Sequence, residues 1–258
     1  MLHDGAGGVR AGRKVPDAGV RHAGSRPRHE QLDVAALEYT NRALDRGKRL
    51  DAETLTRIGE WGRYKDVDGD GIPYRTVPGD GMPAYFARGS GHNAKAQYSE
   101  RPDDYVENMD RLSRKFETAR KFVPTPVVDN VSGAKLGFIG YGTSHWAIGE
   151  SRDQLREETD VKTSYYRLRA YPFTDDLVKF VDAHDRIYVI EQNRDAQLRQ
   201  LLRLELDPDR QKKLRSVLHY DGLPLDARTV TDSVLAQEGF EVAKKTTVVM
   251  SAGSAGGE

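Results

Sequence analysis

Beyond Val123-Pro124-Thr125-Pro126 the sequence alternates short apolar runs with stretches of helical periodicity, and this alternation constrains the fold more than any other feature. The run Leu136 to Tyr141 leads through Gly142-Thr143-Ser144 into a helix reaching about Glu158. Strands joined by helices long enough to cross back over a sheet form βαβ units with parallel strands. A second strand is expected over roughly Thr163 to Ala170, broken by Pro172. Thr174 is expected to cap a helix whose inner face carries Leu177, Val178, Phe180 and Val181. Ile187 to Ile190 reads as a buried strand, Asp195 to Leu206 as a helix and Ser216 to His219 as a strand. Asp226 to Gln237 reads as a last helix whose leading acid suits its dipole. The expectation over 124–237 is an α/β domain with an open, mostly parallel sheet, of ordinary single-domain size.

The sequence before the linker has another character. Residues 35–123 read as a loop-rich helical segment. Asp51 is a plausible cap for a short helix through Ala52, Leu55, Ile58 and Trp61. A Gly/Pro/Asp-rich stretch follows from Lys65 to Asn93, and helical periodicity returns after Pro102. There Tyr105, Met109, Leu112, Phe116 and Ala119 recur at spacings of four and three, which predicts a core-facing stripe. Residues 1–34 lack aromatics and isoleucine, and residues 238–258 end in Ser-Ala-Gly-Ser-Ala-Gly-Gly-Glu; both are expected to be disordered, because neither can bury enough apolar surface.

Composition removes several function classes. The 40 basic and 40 acidic residues balance, so the surplus of cations that phosphate contacts require in a dedicated nucleic-acid binder is missing. With no cysteine, the chain cannot supply a disulfide, a thiolate zinc site or the ligands of an iron–sulfur cluster. No apolar run approaches the roughly 20 residues of a membrane-spanning helix. No apolar leader follows Met1, which makes a cytoplasmic location the expectation.

Four segments are candidates for chemistry. Asp66-Val67-Asp68-Gly69-Asp70-Gly71 places carboxylates at positions 1, 3 and 5 and a glycine at 6, the front half of a calcium loop, so Asp66, Asp68 and Asp70 are candidate ligands of Ca²⁺ or Mg²⁺. Position 12 is Val77, however, and Pro73 and Pro78 oppose the second helix of such a motif. The alternative is a turn-rich loop whose carboxylates bond backbone amides and converge whether or not metal is bound. Arg88-Gly89-Ser90-Gly91-His92-Asn93 joins a cation, a hydroxyl and an imidazole to two glycines that admit a ligand to the backbone; it is a candidate anion site, with a structural loop as the alternative. In Gly140-Tyr141-Gly142-Thr143-Ser144-His145, which joins a strand to a helix start, Ser144 is expected to cap the helix. Glu191-Gln192-Asn193-Arg194-Asp195 follows a strand on the edge where open sheets present functional loops, and capping and functional readings both stand.

These segments, together with Trp61 to Arg75, Tyr105-Val106-Glu107-Asn108-Met109, Gly140 to Trp146 and His219-Tyr220-Asp221-Gly222-Leu223-Pro224, resemble the alpha subunit of 2-oxoacid:ferredoxin oxidoreductases, nearest to the 2-oxoglutarate branch. The likeness runs in one order from about Leu37 to Leu235 and covers the C-terminal part of such a subunit. It implies a transketolase-C-terminal-like domain, core domain II of the pyruvate:ferredoxin oxidoreductase architecture, at 124–237. It also implies an assembly that uses thiamine diphosphate, Mg²⁺, coenzyme A and a [4Fe–4S] cluster to make an acyl-CoA and CO₂ while reducing ferredoxin. In that family thiamine diphosphate sits between alpha and beta subunits, and the beta subunit holds the cluster cysteines. The pyrimidine-binding domain, with its Tyr-Pro-Ile-Thr-Pro-like segment, has no counterpart here, so no catalytic residue is carried over and the chain alone is expected to be inactive. A subunit-docking module without catalysis is the competing class.

The resemblance also bears on residues 1–34. In the family, a strand and a Leu-Asp-Leu-Gly-Met-Asn-like sequence stand before the position of Leu44 to Lys48. Arg21 to Val34 can be back-translated so that a neighbouring reading frame spells FVMLDLDLGMNNWM, and the expectation is an out-of-frame N-terminus. A natural basic extension is the alternative.

Overall fold

The computed structural model describes residue 43 and residues 45–242. The expectations for residues 1–34 and for 243–258 lie outside the described residues.

A mixed five-stranded sheet organises the second half of the chain. Its strands are β1 (Val127–Asp129), β2 (Leu136–Tyr141), β3 (Thr163–Leu168), β4 (Arg186–Glu191) and β5 (Leu214–Leu218), in the spatial order β1-β3-β2-β4-β5. Only β1 is antiparallel, pairing Val127 with Arg167 and Asp129 with Tyr165; the other pairs are parallel. Alternation along the strands sends side chains to two separate cores. On one face Phe138, Tyr165, Tyr188, Ile190 and Val217 pack with α3 (Ser144–Thr159) and α7 (Ala227–Gln237), through Ala147, Ile148, Leu155, Val230 and Val234. On the other, Ile139, Tyr166, Ile187, Val189 and Leu214 pack with α4 (Asp176–Asp182) and α5 (Gln197–Glu205), through Leu177, Phe180, Leu198 and Leu202. At Gly137 an added Cβ would lie 2.8 Å from the Phe180 ring, so the absence of a side chain there lets α4 approach the sheet. The sequence-based strands and helices match these elements to within a few residues. The exceptions are β1, whose three exposed residues carry no burial pattern to read, and the single helical turn Pro208–Gln211.

Three expectations about helix ends are corrected. Thr174 does not cap α4; Asp175 occupies that position without a side-chain cap, and the Thr174 hydroxyl bonds the Asp176 carboxylate at 3.3 Å. Ser144 is the first residue of α3 rather than its cap, which is Thr143, and Thr143 makes no side-chain cap bond. The expected disordered tail does not begin at Glu238: its carboxylate accepts Arg186 and the Tyr188 hydroxyl at 2.6 Å, and Val242 packs against the first core. Between α5 and β5 lies a single turn, α6 (Pro208–Gln211), capped by Asp207.

Two helices precede the sheet. In α1 (Ala52–Ile58) the Asp51 carboxylate accepts the Thr54 amide, and Gly59 closes the end at φ +70°, so Trp61 lies beyond the helix. In α2 (Pro102–Ala119) the expected core stripe holds at Ala119 and in part at half-buried Leu112, and is overturned at its other three positions. Tyr105, Met109 and Phe116 are about half exposed or more, and the buried side chains are Arg111, Lys115 and Ala119. The buried face is polar because it receives a polar loop: Arg111 donates to the Gly71 carbonyl at 3.2 Å and Thr118 to that of Asp70 at 2.7 Å. Arg120, just past α2, donates to the Phe173 carbonyl and pairs with Glu205 at 3.1 Å, tying this segment to the sheet domain.

Candidate functional site

In a parallel sheet wound in two directions, a crevice opens at the C-terminal ends of the strands where the winding reverses. Here β2 connects to β3 on one side and β4 to β5 on the other, which puts that point between β2 and β4. The loops flanking it are Gly142 to His145 and Gln192 to Asp195, two of the segments singled out from sequence. They are joined to each other. The Gln192 amide donates to the Ser144 hydroxyl at 3.2 Å, and its oxygen accepts the Leu225 amide at 3.4 Å from the loop after β5.

Glu191 resolves its two readings in favour of capping. Its carboxylate is fully buried and accepts the amides of Leu198 at 2.8 Å and Arg199 at 3.2 Å, together with the Asn193 side-chain amide at 2.6 Å. A strand-end carboxylate thus satisfies the open amides of α5 from below, where the residue before the helix, Ala196 at φ +53°, cannot. His219 is also committed: Nε2 donates toward the Leu223 carbonyl at 2.9 Å and lies 3.0 Å from Asp221. His145 stacks parallel to Tyr165 with ring centroids 5.8 Å apart. Burial, with Arg167 nearby, holds its pKa below the usual imidazole value, and burial raises that of the Tyr165 hydroxyl. Around the rim Trp146, Tyr220 and Leu223 stand exposed.

The Asp66 loop curls as a turn, with Gly69 and Gly71 at φ +74° and +76°, but its three carboxylates do not converge. Asp68 and Asp70 share the Lys48 ammonium at 2.7 Å each, while Asp66 turns to the Gly71 amide and to Arg114, both at 3.0 Å. Burial works against the charge on Lys48, yet the two carboxylates outweigh it and raise its pKa. The place of a divalent ion is therefore taken by a side-chain cation, and among the described residues no group of three or more His, Asp or Glu could hold a metal. The expectation of Ca²⁺ or Mg²⁺ at Asp66, Asp68 and Asp70 is replaced by a salt-bridged clasp. Lys48 lies 18 residues before Asp66, and no local pattern links the two.

The Arg88 loop divides in two. Gly91, His92 and Asn93 build a hairpin with Tyr98, Ser99 and Gln97: the Ser99 amide bonds the Gly91 carbonyl at 3.1 Å, and Asn93 Oδ1 accepts the amides of Lys95 and Gln97. A Cβ at Gly91 would sit 2.5 Å from the Ser99 carbonyl oxygen, so this glycine serves the hairpin. The His92 ring stacks on Tyr64 at 3.9 Å. Gly89 and Ser90 remain exposed, with no atom near a Cβ placed at Gly89, while Arg88, also exposed, donates Nε to the Ala96 carbonyl at 3.3 Å and lies over the Phe86 ring.

No family model and no curated protein matches the sequence. Among solved structures, the chain is similar to a 2-oxoglutarate:ferredoxin oxidoreductase from Magnetococcus marinus with 2-oxoglutarate, coenzyme A and succinyl-CoA bound, at 21% identity and a TM-score of 0.64 over 76% of this chain. The match spans 33% of that protein's chain. A second match is the alpha chain of a probable 2-oxoacid ferredoxin oxidoreductase from Thermoplasma acidophilum, at 23% identity over 44% of this chain and 95% of that one; its TM-score of 0.28 carries no weight. The likeness to the Magnetococcus enzyme is one of fold.

Proposed function

We propose that the chain is the C-terminal part of the alpha subunit of a 2-oxoacid:ferredoxin oxidoreductase with 2-oxoglutarate as its oxoacid, inactive until joined to the remainder of that subunit and to a beta subunit. The observation that supports this reading is the fold shared with the Magnetococcus enzyme over most of the chain, on which the segments from Trp61 to Pro224 that prompted the same family from sequence are carried in order. Residues 35–123 would be the connecting region and 124–237 core domain II. The complete assembly would convert 2-oxoglutarate and coenzyme A to succinyl-CoA and CO₂ and pass the electrons to ferredoxin in the cytoplasm. Thiamine diphosphate, Mg²⁺ and the [4Fe–4S] cluster would be held outside this chain. Its own part in that work is to shape and dock.

Reconstitution tests the proposal. The chain should co-purify with a candidate beta subunit, yet reduce no viologen dye when given thiamine diphosphate, Mg²⁺, coenzyme A and 2-oxoglutarate; turnover should appear once the missing alpha-subunit domains are supplied. Failure to associate would sink the subunit reading, and preference for another oxoacid would sink the substrate.

Arg88, Gly89 and Ser90, the open half of the glycine loop, would meet the phosphates of coenzyme A, with Gly91, His92 and Asn93 setting the hairpin beneath them. Arginine holds phosphate in a two-pronged geometry that no other side chain supplies. In the reconstituted enzyme Arg88→Ala should raise the KM for coenzyme A about fivefold at little change in kcat, close to ~1 kcal/mol of binding. A change within about twofold, only ~0.4 kcal/mol, would reduce Arg88 to a surface charge.

A further inference from the structure

A cavity of about 240 Å³ opens between the N-terminal halves of α3 and α7, beside the switch-point loops, with which it shares Leu225 and the rim residue Trp146. Ala147, Leu225 and Ala227, all buried, supply the apolar part of its lining. One wall is Trp146, 61% exposed, an indole left in solvent although it flanks a cavity. The remaining lining is acidic in effect. Glu150 accepts an amide from Gln154 at 3.3 Å, and Asp226 uses its oxygens on the amide and hydroxyl of Thr229. Arg228, the one cation lining the cavity, is held by Glu158 and Asp232 at 2.6 Å each, so its charge is already matched twice. Leu223 and Tyr220, on the loop that runs into Leu225, expose 69% and 65% of their surface.

With Asp226 occupied as the cap of α7, an indole face and the exposed Glu150 carboxylate beside an apolar lining are the recognition elements of a guanidinium: the plane stacks on the ring, and the N–H groups reach the carboxylate. We propose that this cavity is a docking socket for an arginine side chain of a partner polypeptide, with an apolar residue next to that arginine covering Leu223 and Tyr220. Exposed aromatic and aliphatic side chains around a charged pocket are the composition of an interface centre rather than of bare surface. Charge complementarity selects a basic segment over an acidic one. The inference goes beyond the subunit role proposed above and stands or falls without any enzyme activity.

The test follows the indole N–H resonances of the full chain, with Trp61 as the internal control. The probe is the blocked tripeptide Ac-Leu-Arg-Leu-NH₂, titrated to about 10 mM, where even weak single-site contacts are seen. The Trp146 signal should shift saturably while that of Trp61 stays still. Ac-Leu-Gln-Leu-NH₂ should bind at least about tenfold more weakly, and Glu150→Gln should weaken the arginine peptide about as much. Glu150 is exposed and is not a helix cap, so this variant keeps the fold even if Asp226→Asn does not. No Trp146 shift, an equal response to the glutamine peptide, or undiminished binding by Glu150→Gln would overturn the proposal.

Discussion

Lys115 is a lysine with only 4% of its surface exposed, on the polar face of α2. Burial pushes its pKa down to about 8 from 10.5, so the folded chain releases this proton at lower pH than the unfolded one. Between those values the unfolded state binds more protons, and the contribution of this site to stability rises as pH climbs from 8 to 10.5; below 8 the full cost of the buried charge remains. Lys115→Met should therefore stabilise the chain near neutral pH by up to about 3 kcal/mol, and the gain should fade toward pH 10.5. Urea titrations of both proteins across that range check it; a difference that ignores pH would refute the assignment. Glu191 is a buried carboxylate satisfied by three donors. Glu191→Ala strips two α5 amides and Asn193 of their acceptor and should cost about 2–3 kcal/mol, read from the shift in urea midpoint.

At the scale of elements, α2 shows where sequence periodicity misleads. The Tyr105, Met109 and Phe116 stripe is helical as expected, but periodicity reports only that these residues share a face, and the face that packs was chosen by the loop docked against it. Gly71 is the contact point: at φ +76°, with a Cβ there meeting the α2 backbone at Arg111 and Lys115, it admits no side chain. Gly71→Ala should then destabilise by about 3 kcal/mol, whereas Tyr105→Gln with Met109→Gln should change stability by no more than about 0.5 kcal/mol. The reverse ranking in thermal melts would mean that the stripe is the packed face after all. The strands were legible because β2 and β4 are buried on both faces and read as unbroken apolar runs, Leu136 to Tyr141 and Ile187 to Ile190. The candidate site was legible only as segments. That Gln192 would bridge Ser144 and Leu225, or that Lys48 would fill the Asp68 and Asp70 loop, depends on tertiary placement across 20 residues or more, which no local spacing encodes.

For the molecule as a whole, buried hydrophobic side chains are unevenly shared: between Leu50 and the first sheet core at Leu136, only Ile72, Ala96 and Ala119 join Leu50 in that class among the described residues. The sheet domain is held by two apolar cores, whereas residues 45–123 are held mainly by ion pairs and hydrogen bonds, with the Lys48 clasp and the α2 contacts at their centre. Forces of these two kinds answer differently to dissolved ions, since about 1 M salt shortens the screening length to roughly 3 Å while leaving apolar burial intact or strengthened. The half carrying the clasp should thus open as a separate unit. In amide hydrogen exchange the Leu50 and Arg75 protons, bonded to Arg75 and Lys48 across the clasp, should exchange faster as sodium chloride rises, while those of Ile139 and Val189 keep their protection. A single opening shared by all of them would show the chain to be one cooperative block. Otherwise salinity becomes a dial that loosens one half of this protein and leaves the other shut.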